Sequence, residues 1–253
     1  GMGFGSTDYL QYYDSGSGSN PVTTAKYRDP SAWYHIVVKN DAGTLTFYVN
    51  GETPAGSGGT TGHALSSSTM SVGSFTSGSN SLDGCMSHVH FVDGTAYSAS
   101  TFGETDATSG IWKIKTSPTV TYGSQGFFLK MEDRTNLDLD SSPNALTFTT
   151  SGDLTATYDN PSNNFCTLNP LAVATSNPIT FGNGNNTGFF TSTAAWRATF
   201  GTLAPSSGKW YYEAIGGNSS GHLHVAIASL EWANALGVNK PVNDSSVTAP
   251  EPT

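Results

Sequence analysis

Two runs of alternating apolar and polar residues near the start of the chain set its character. Trp33–Lys39 (WYHIVVK) and Thr44–Asn50 (TLTFYVN) are rich in β-branched and aromatic residues and are separated by Asn40, Asp41, Ala42 and Gly43. A short loop with Gly between two such runs predicts a hairpin. In the second run Leu45, Phe47 and Val49 share one face, and Thr44, Thr46, Tyr48 and Asn50 share the other. The first face is expected in the core and the second in water. Asn50-Gly51 supplies a turn that ends the run. Further strands are expected at Tyr9–Tyr13, Thr69–Phe75, Leu82–Val92, Phe127–Met131, Ala145–Thr150 and Leu154–Tyr158. Along Leu82–Val92, Met86, His88, His90 and Val92 alternate with Cys85, Ser87, Val89 and Phe91, which predicts a small buried side chain for Cys85. The best helical stretch is Leu230–Leu236. Many short strands separated by turn signals argue for an all-β, antiparallel sandwich.

The pattern changes after residue 158. From Asp159 to about Asn186 the chain is rich in Asn, Pro, Ser and Thr, with Pro161, Pro170 and Pro178, and reads as an extended linker. Strands resume at Trp196–Phe200, Lys209–Ile215 and His222–Ala228. The expected organisation is a sandwich over residues 1–158, a linker over 159–186, a second β module over 187–240 and a tail over 241–253.

Charge narrows the functional classes. Ten Lys and Arg against nineteen Asp and Glu give a formal charge of −9, and charged residues make up only 11% of the chain. Nucleic-acid affinity needs clustered cations, and here the ten are scattered, with no more than two close together, as at Lys113 and Lys115, so no nucleic-acid partner is expected. Nor is membrane insertion, because no apolar run approaches the ~18 residues a helical span requires. The surface is expected to be coated instead with Ser, Thr, Asn and Gly. Two cysteines, Cys85 and Cys166, are too few for a disulfide framework.

The candidate chemistry is sparse. Glu132, Asp133, Asp138, Asp140 and Asn144 are the densest group of side-chain oxygens. Asp133, Asp138, Asp140 and Asn144 are therefore candidate calcium ligands, since hard cations take six to eight oxygens. Asp138-Leu139-Asp140 lacks the third ligand and Gly of an EF-hand loop, and Asp140-Ser141-Ser142-Pro143-Asn144 equally has ordinary turn chemistry. His88 and His90 share a face at strand spacing, as do His222 and His224. Two such ligands do not complete a zinc site, so these histidines are expected to face solvent or a neighbouring chain. Tyr9, Tyr12, Tyr13, Trp112 and Tyr122 are candidate sugar-stacking rings, with core packing as the alternative. No binding residue is assigned, and no catalytic one.

Several strings resemble known families. Asp29–Val38 (DPSAWYHIVV), Phe47–Glu52 (FYVNGE), Ser71-Val72-Gly73 and Leu82–Val89 (LDGCMSHV) follow the order of strands in the laminin-G-like, or concanavalin-A-like, jelly-roll family, over roughly residues 9–100. Asp29–Val38, His90–Gly94 (HFVDG), Thr101–Glu104 (TFGE) and Asn163–Pro170 (NNFCTLNP) are similar to modules of large phage tail-fibre and related virion proteins. Trp196–Phe200, Ser207–Glu213 (SGKWYYE) and His224–Ala228 resemble the first strands of an SPRY-like sandwich.

The resemblance implies a laminin-G-like jelly roll, lacking its N-terminal strands, followed by a partial SPRY-like β-sandwich, as a piece of a longer polypeptide. It further implies a non-enzymatic virion component, a tail-fibre or appendage subunit outside the cell. Its expected partners are other copies of the chain (a homo-oligomer, with a trimer as the family's habit), other virion proteins and host-surface glycans. A carbohydrate-binding module of a secreted protein is the alternative. Glycan hydrolases of the jelly-roll family carry an E-x-D-x-(x)-E strand whose carboxylates flank the scissile bond. Glu104-Thr105-Asp106 lacks the third carboxylate, so a hydrolase is the least favoured reading. No cofactor is expected apart from calcium at the acidic cluster.

Overall fold

The hairpin at the centre of the pattern forms the longest ladder of the computed structural model. That model describes residues 1–13, 18–19, 21–29, 32–61, 70–74, 80–152, 154–161, 165–171, 179–189 and 198–217. The chain divides into two units, Gly1–Asn164 and Phe165–Thr253.

The first unit opens with strands β1 (Met2–Phe4), β2 (Tyr9–Tyr12), β3 (Gly18–Ser19) and β4 (Val22–Lys26). Next come β5 (Ile36–Asp41), β6 (Thr44–Val49) and β7 (Gly58–Thr61). They make two antiparallel sheets, β1-β2-β4 and β3-β7-β6-β5. Strands β5 and β6 pair over six residues, from Ile36↔Val49 to Asp41↔Thr44. Only Ala42 (φ 48°) and Gly43 (φ 90°) form the connection, a tighter turn than the four-residue loop read from sequence. Two successive positive-φ residues match the right-handed twist of the flanking strands. At the far end Asn50 (φ 50°) and Gly51 (φ 83°) repeat this geometry.

Leu45, Phe47 and Val49 are buried as their alternation requires, with Phe47 fully inaccessible. Phe47 and Val49 meet Leu10 of the other sheet, and Tyr12, Tyr27, Tyr34, Ile36 and Val38 pack around them. Two sheets thus close over one apolar layer, and each fully buried Leu or Phe contributes about 1.5–3 kcal/mol.

Next along the chain come β8 (Val89–Phe91), the single helical turn α1 (Ala99–Phe102), β9 (Gly103–Thr105), β10 (Trp112–Ile114) and β11 (Phe127–Leu129). Strand β8 pairs with β11 and β9 with β10, both antiparallel. The Trp112 ring fills space that glycine leaves: a Cβ at Gly51 or at Gly103 would strike the indole. We therefore expect Gly51→Ala, which adds a strained positive φ to that clash, to cost about 2 kcal/mol, read as a lower urea midpoint. An unchanged midpoint would contradict this packing.

Several expected strands are shorter than their apolar pattern. Leu82–Val92 contributes only Val89–Phe91, because His88 sits at φ 53° and breaks the extended backbone. Ala145–Thr150 and Leu154–Tyr158 join no ladder, although Phe148 packs edge-on against Phe127 at 4.8 Å. Of Thr69–Phe75 only 70–74 is described, with one isolated bridge, Ser74↔Ser81.

In the second unit β12 (Thr180–Gly182) and β13 (Thr187–Phe189) form a hairpin, with Asn183, Gly184 and Asn185 at positive φ. Thr167, Leu168 and Asn169 pair loosely with Phe200–Thr202. The expected strand Lys209–Ile215 joins no ladder among the described residues, and Trp210 and Tyr211 are 69% and 84% exposed. An alternating run becomes a strand only where a neighbour meets its N–H and C=O groups, and no described neighbour does. Residues 222–228, 230–236 and 241–253 lie outside the described residues. The described chain is nearly all β, in antiparallel sheets, with one four-residue helix. No described helix is long and apolar enough to cross a membrane.

Candidate functional site

The structure separates the acidic residues that the sequence clusters. Asp140 is buried, and its carboxylate accepts hydrogen bonds from the backbone N–H groups of Phe128, Ser142 and Leu146, and from the Ser142 hydroxyl, at 2.8–2.9 Å. Burial pushes its carboxyl up, but these four donors outweigh that and hold it below the usual range. Asn144 donates to the carbonyls of Gly123 and Gly126 at 2.7 and 2.8 Å. Together they buckle the 140–146 turn onto β11. Asp133 caps its own turn, accepting from the Thr135 hydroxyl and N–H, which lowers its pKa. Asp138 is half-buried. Among the described residues, no three His, Cys, Asp or Glu side chains stand together as a metal cluster. The four calcium candidates are thus dispersed, with Asp140 committed to backbone donors. The turn chemistry visible in the sequence from Asp140 to Asn144 accounts for it.

His88 and His90 are turned in among aromatic rings, not facing solvent as expected, while His222 and His224 lie outside the described residues. His90 lies opposite Phe128 in the β8–β11 register, its ring stacked on that phenyl at 3.8 Å. Its Nδ1 meets the Tyr122 hydroxyl at 2.9 Å. The His88 side chain is only 4% exposed and also touches Phe128. A third histidine, His35, accepts from Trp112 Nε1 at 2.9 Å through Nδ1, which makes its neutral form the one with Nε2–H. Burial lowers all three pKa values, His35 to about 4 and His90 to about 3. The rings act as aromatic core pieces. Sequence alternation carried the signal that His88 and His90 share a face; which face was decided by the aromatic strand opposite, Phe127–Leu129, about forty residues away.

A shallow cleft opens beside this cluster, lined by Lys130, Met131, Glu132, Asp133, Asn136 and Leu139 among others. Carboxylates and an amide sit there next to two apolar side chains, the mixture that binds a ring carrying hydroxyls on one edge and C–H groups on its face. Residues 2–102 match the family model of the concanavalin A-like lectin/glucanases superfamily, of laminin-G type. The match ends at the last residue of α1, so the jelly-roll reading made from the Trp33–Glu52 strings holds for that span. No curated protein and no solved structure matches the chain.

The remaining candidates take distinct places. Glu104 lies on β9, with Lys115 at 3.9 Å. Asp106 follows on a turn, bonded to Lys113 at 2.5 Å and to the N–H groups of Thr108 and Ser109. Lys113 and those donors depress its pKa strongly. The two carboxylates are therefore held by separate lysines. Of the candidate stacking rings, Tyr122 is buried, Trp112 is wedged against glycines, and Tyr9 carries Lys26 over its face at 4.8 Å. Tyr12 packs on the core, and Tyr13 is half exposed. Cys85 is exposed, not buried as the alternation implied, and both cysteines are free thiols. The strand that would have turned Cys85 inward does not begin until Val89.

Proposed function

We propose that the chain is a non-enzymatic glycan-binding subunit of a phage tail fibre or related virion appendage. The observation that carries the binding part is the match of residues 2–102 to the concanavalin A-like lectin/glucanases superfamily. The cleft at Lys130–Leu139 supports it, with Glu132, Asp133 and Asn136 as polar partners and Met131 and Leu139 as apolar ones. A charged fraction of only 11% suits a surface that meets neutral, hydroxyl-rich ligands. The virion context rests on the resemblance of Asp29–Val38, His90–Gly94 and Asn163–Pro170 to tail-fibre modules. The SPRY-like continuation rests on Ser207–Glu213. Under this reading the protein acts outside the cell as a homo-oligomer, with other virion proteins as neighbours.

The test is a glycan array probed with the full chain. At least one bacterial surface glycan is expected to bind, and the double variant Asp133→Ala, Asn136→Ala is expected to weaken that binding at least about 10-fold, the loss of one or two well-placed hydrogen bonds. An array without hits, or hits indifferent to the double variant, would count against it.

A further inference from the structure

The three most exposed large apolar residues among the described residues, Ile215, Tyr211 and Trp210, lie on one short run, Lys209–Ile215 (KWYYEAI). Tyr212 between them is more than half exposed as well. The backbone there runs without a turn, a bend or a positive φ. Its side chains therefore alternate, with Lys209, Tyr211, Glu213 and Ile215 on one face and Trp210, Tyr212 and Ala214 on the other. The Tyr211 hydroxyl reaches Glu213 Oε2, two residues on, at 3.4 Å, as that alternation requires. None of the N–H or C=O groups of the run bonds a described residue. An extended backbone with free polar groups and aromatic side chains on both faces is a template for another strand.

The order of residues says which strand fits. Set antiparallel to a second copy of itself about Tyr211, the run places Lys209 opposite Glu213 and Trp210 opposite Tyr212, while Tyr211 meets its own counterpart. Every charge then faces its opposite and every aromatic ring faces another, the cross-strand pairs that stabilise a sheet. A two-fold axis repeats each unlike pair, so two Lys–Glu contacts close the interface. A parallel, in-register pairing would set Lys against Lys and Glu against Glu. Two copies of a chain carrying −9 repel each other, and this run, with one Lys and one Glu, is a neutral place for them to meet.

We propose that Lys209–Ile215 is a homodimer interface, in which the run of one copy adds antiparallel to the same run of a second copy. This gives a contact surface to the homo-oligomer of the reading above, on which it rests for self-association alone and not for glycan binding.

The experiment is sedimentation velocity of the full, tag-free chain from micromolar to near-millimolar concentration. A monomer–dimer equilibrium is expected. Lys209→Glu and Glu213→Lys change exposed side chains, and each is expected to raise the dimer dissociation constant at least about 10-fold by setting like charges opposite. The double variant Lys209→Glu, Glu213→Lys is expected to restore the parent value. An equal mixture of the two single variants is expected to dimerise too, because each then meets its complement. Hydrogen exchange at residues 209–215 is expected to slow as concentration rises. Slow exchange at every concentration would mean that a segment of the same chain covers the run, and would overturn the proposal. So would single reversals without effect, or a double variant as weak as the single ones; an oligomer that persists in those cases keeps the homo-oligomer and removes this interface. A chain monomeric throughout would remove both.

Discussion

Asp140→Ala is expected to destabilise the first unit by about 3–5 kcal/mol, out of the ~5–15 kcal/mol that holds a typical domain together. The carboxylate takes three backbone N–H groups and one hydroxyl. Removing it leaves those donors without an acceptor, beside Phe127, Phe128 and Leu129, each under 5% exposed. The cost of an unmet buried donor exceeds the net gain from a made hydrogen bond, so deletion is worse than the bond count suggests. Asp140→Asn, which keeps one oxygen acceptor, is expected to fall between. Urea unfolding of both variants checks this. The effect is expected to be equal with Ca²⁺ and with a chelator, because Asp140 acts through the backbone. A loss under about 1 kcal/mol, or one that appears only when calcium is present, would restore the carboxylate to the candidate metal ligands.

The second large effect is acid destabilisation between pH 6.5 and about 4. His35 and His90 are held neutral by burial, with folded pKa values of about 4 and about 3 against an ordinary value of 6.5. As pH falls below 6.5 the unfolded chain takes up protons that the folded chain refuses, so stability falls. At pH 5 the pair is expected to cost about 3 kcal/mol relative to pH 8, after allowing for partial solvent screening. Asp140 titrates in the same sense but lower, since its folded pKa lies below the usual carboxylate range. Its contribution is intact until pH drops below about 4. Urea midpoints at pH 8, 6.5 and 5, in chelator so that no cation intervenes, read the effect. The double variant His35→Gln, His90→Phe is expected to flatten the profile. A midpoint independent of pH over this range in the parent chain would show that these rings are solvated.

The core of the first unit is legible in the sequence because it is local. Leu45, Phe47 and Val49 alternate within one hairpin, and Asn50-Gly51 marks its end. The limits of Leu82–Val92 are not legible, because positive φ at His88 and the pairing of β8 with β11 are set by residues near 128. The acidic cluster misleads for the same reason. Asp133, Asp138 and Asp140 are neighbours in sequence, while the partners that engage Asp140, the N–H groups of Phe128 and Leu146 among them, are backbone groups that composition does not mark. His35, Trp112 and Gly103 meet only in three dimensions, so the sequence marks Trp112 as a stacking or core ring without naming the partners it packs on. Burial of Ser87 and His88 next to Lys130 and Glu132 likewise depends on the strand pairing.

The proposed glycan site is the Lys130–Leu139 cleft of the first unit. Hydrogen exchange of the full chain, with and without a glycan identified on the array, tests this most directly. Protection is expected over residues 130–141, with no change in the β5–β6 hairpin. Protection confined to other segments, or none at saturating glycan, would contradict it.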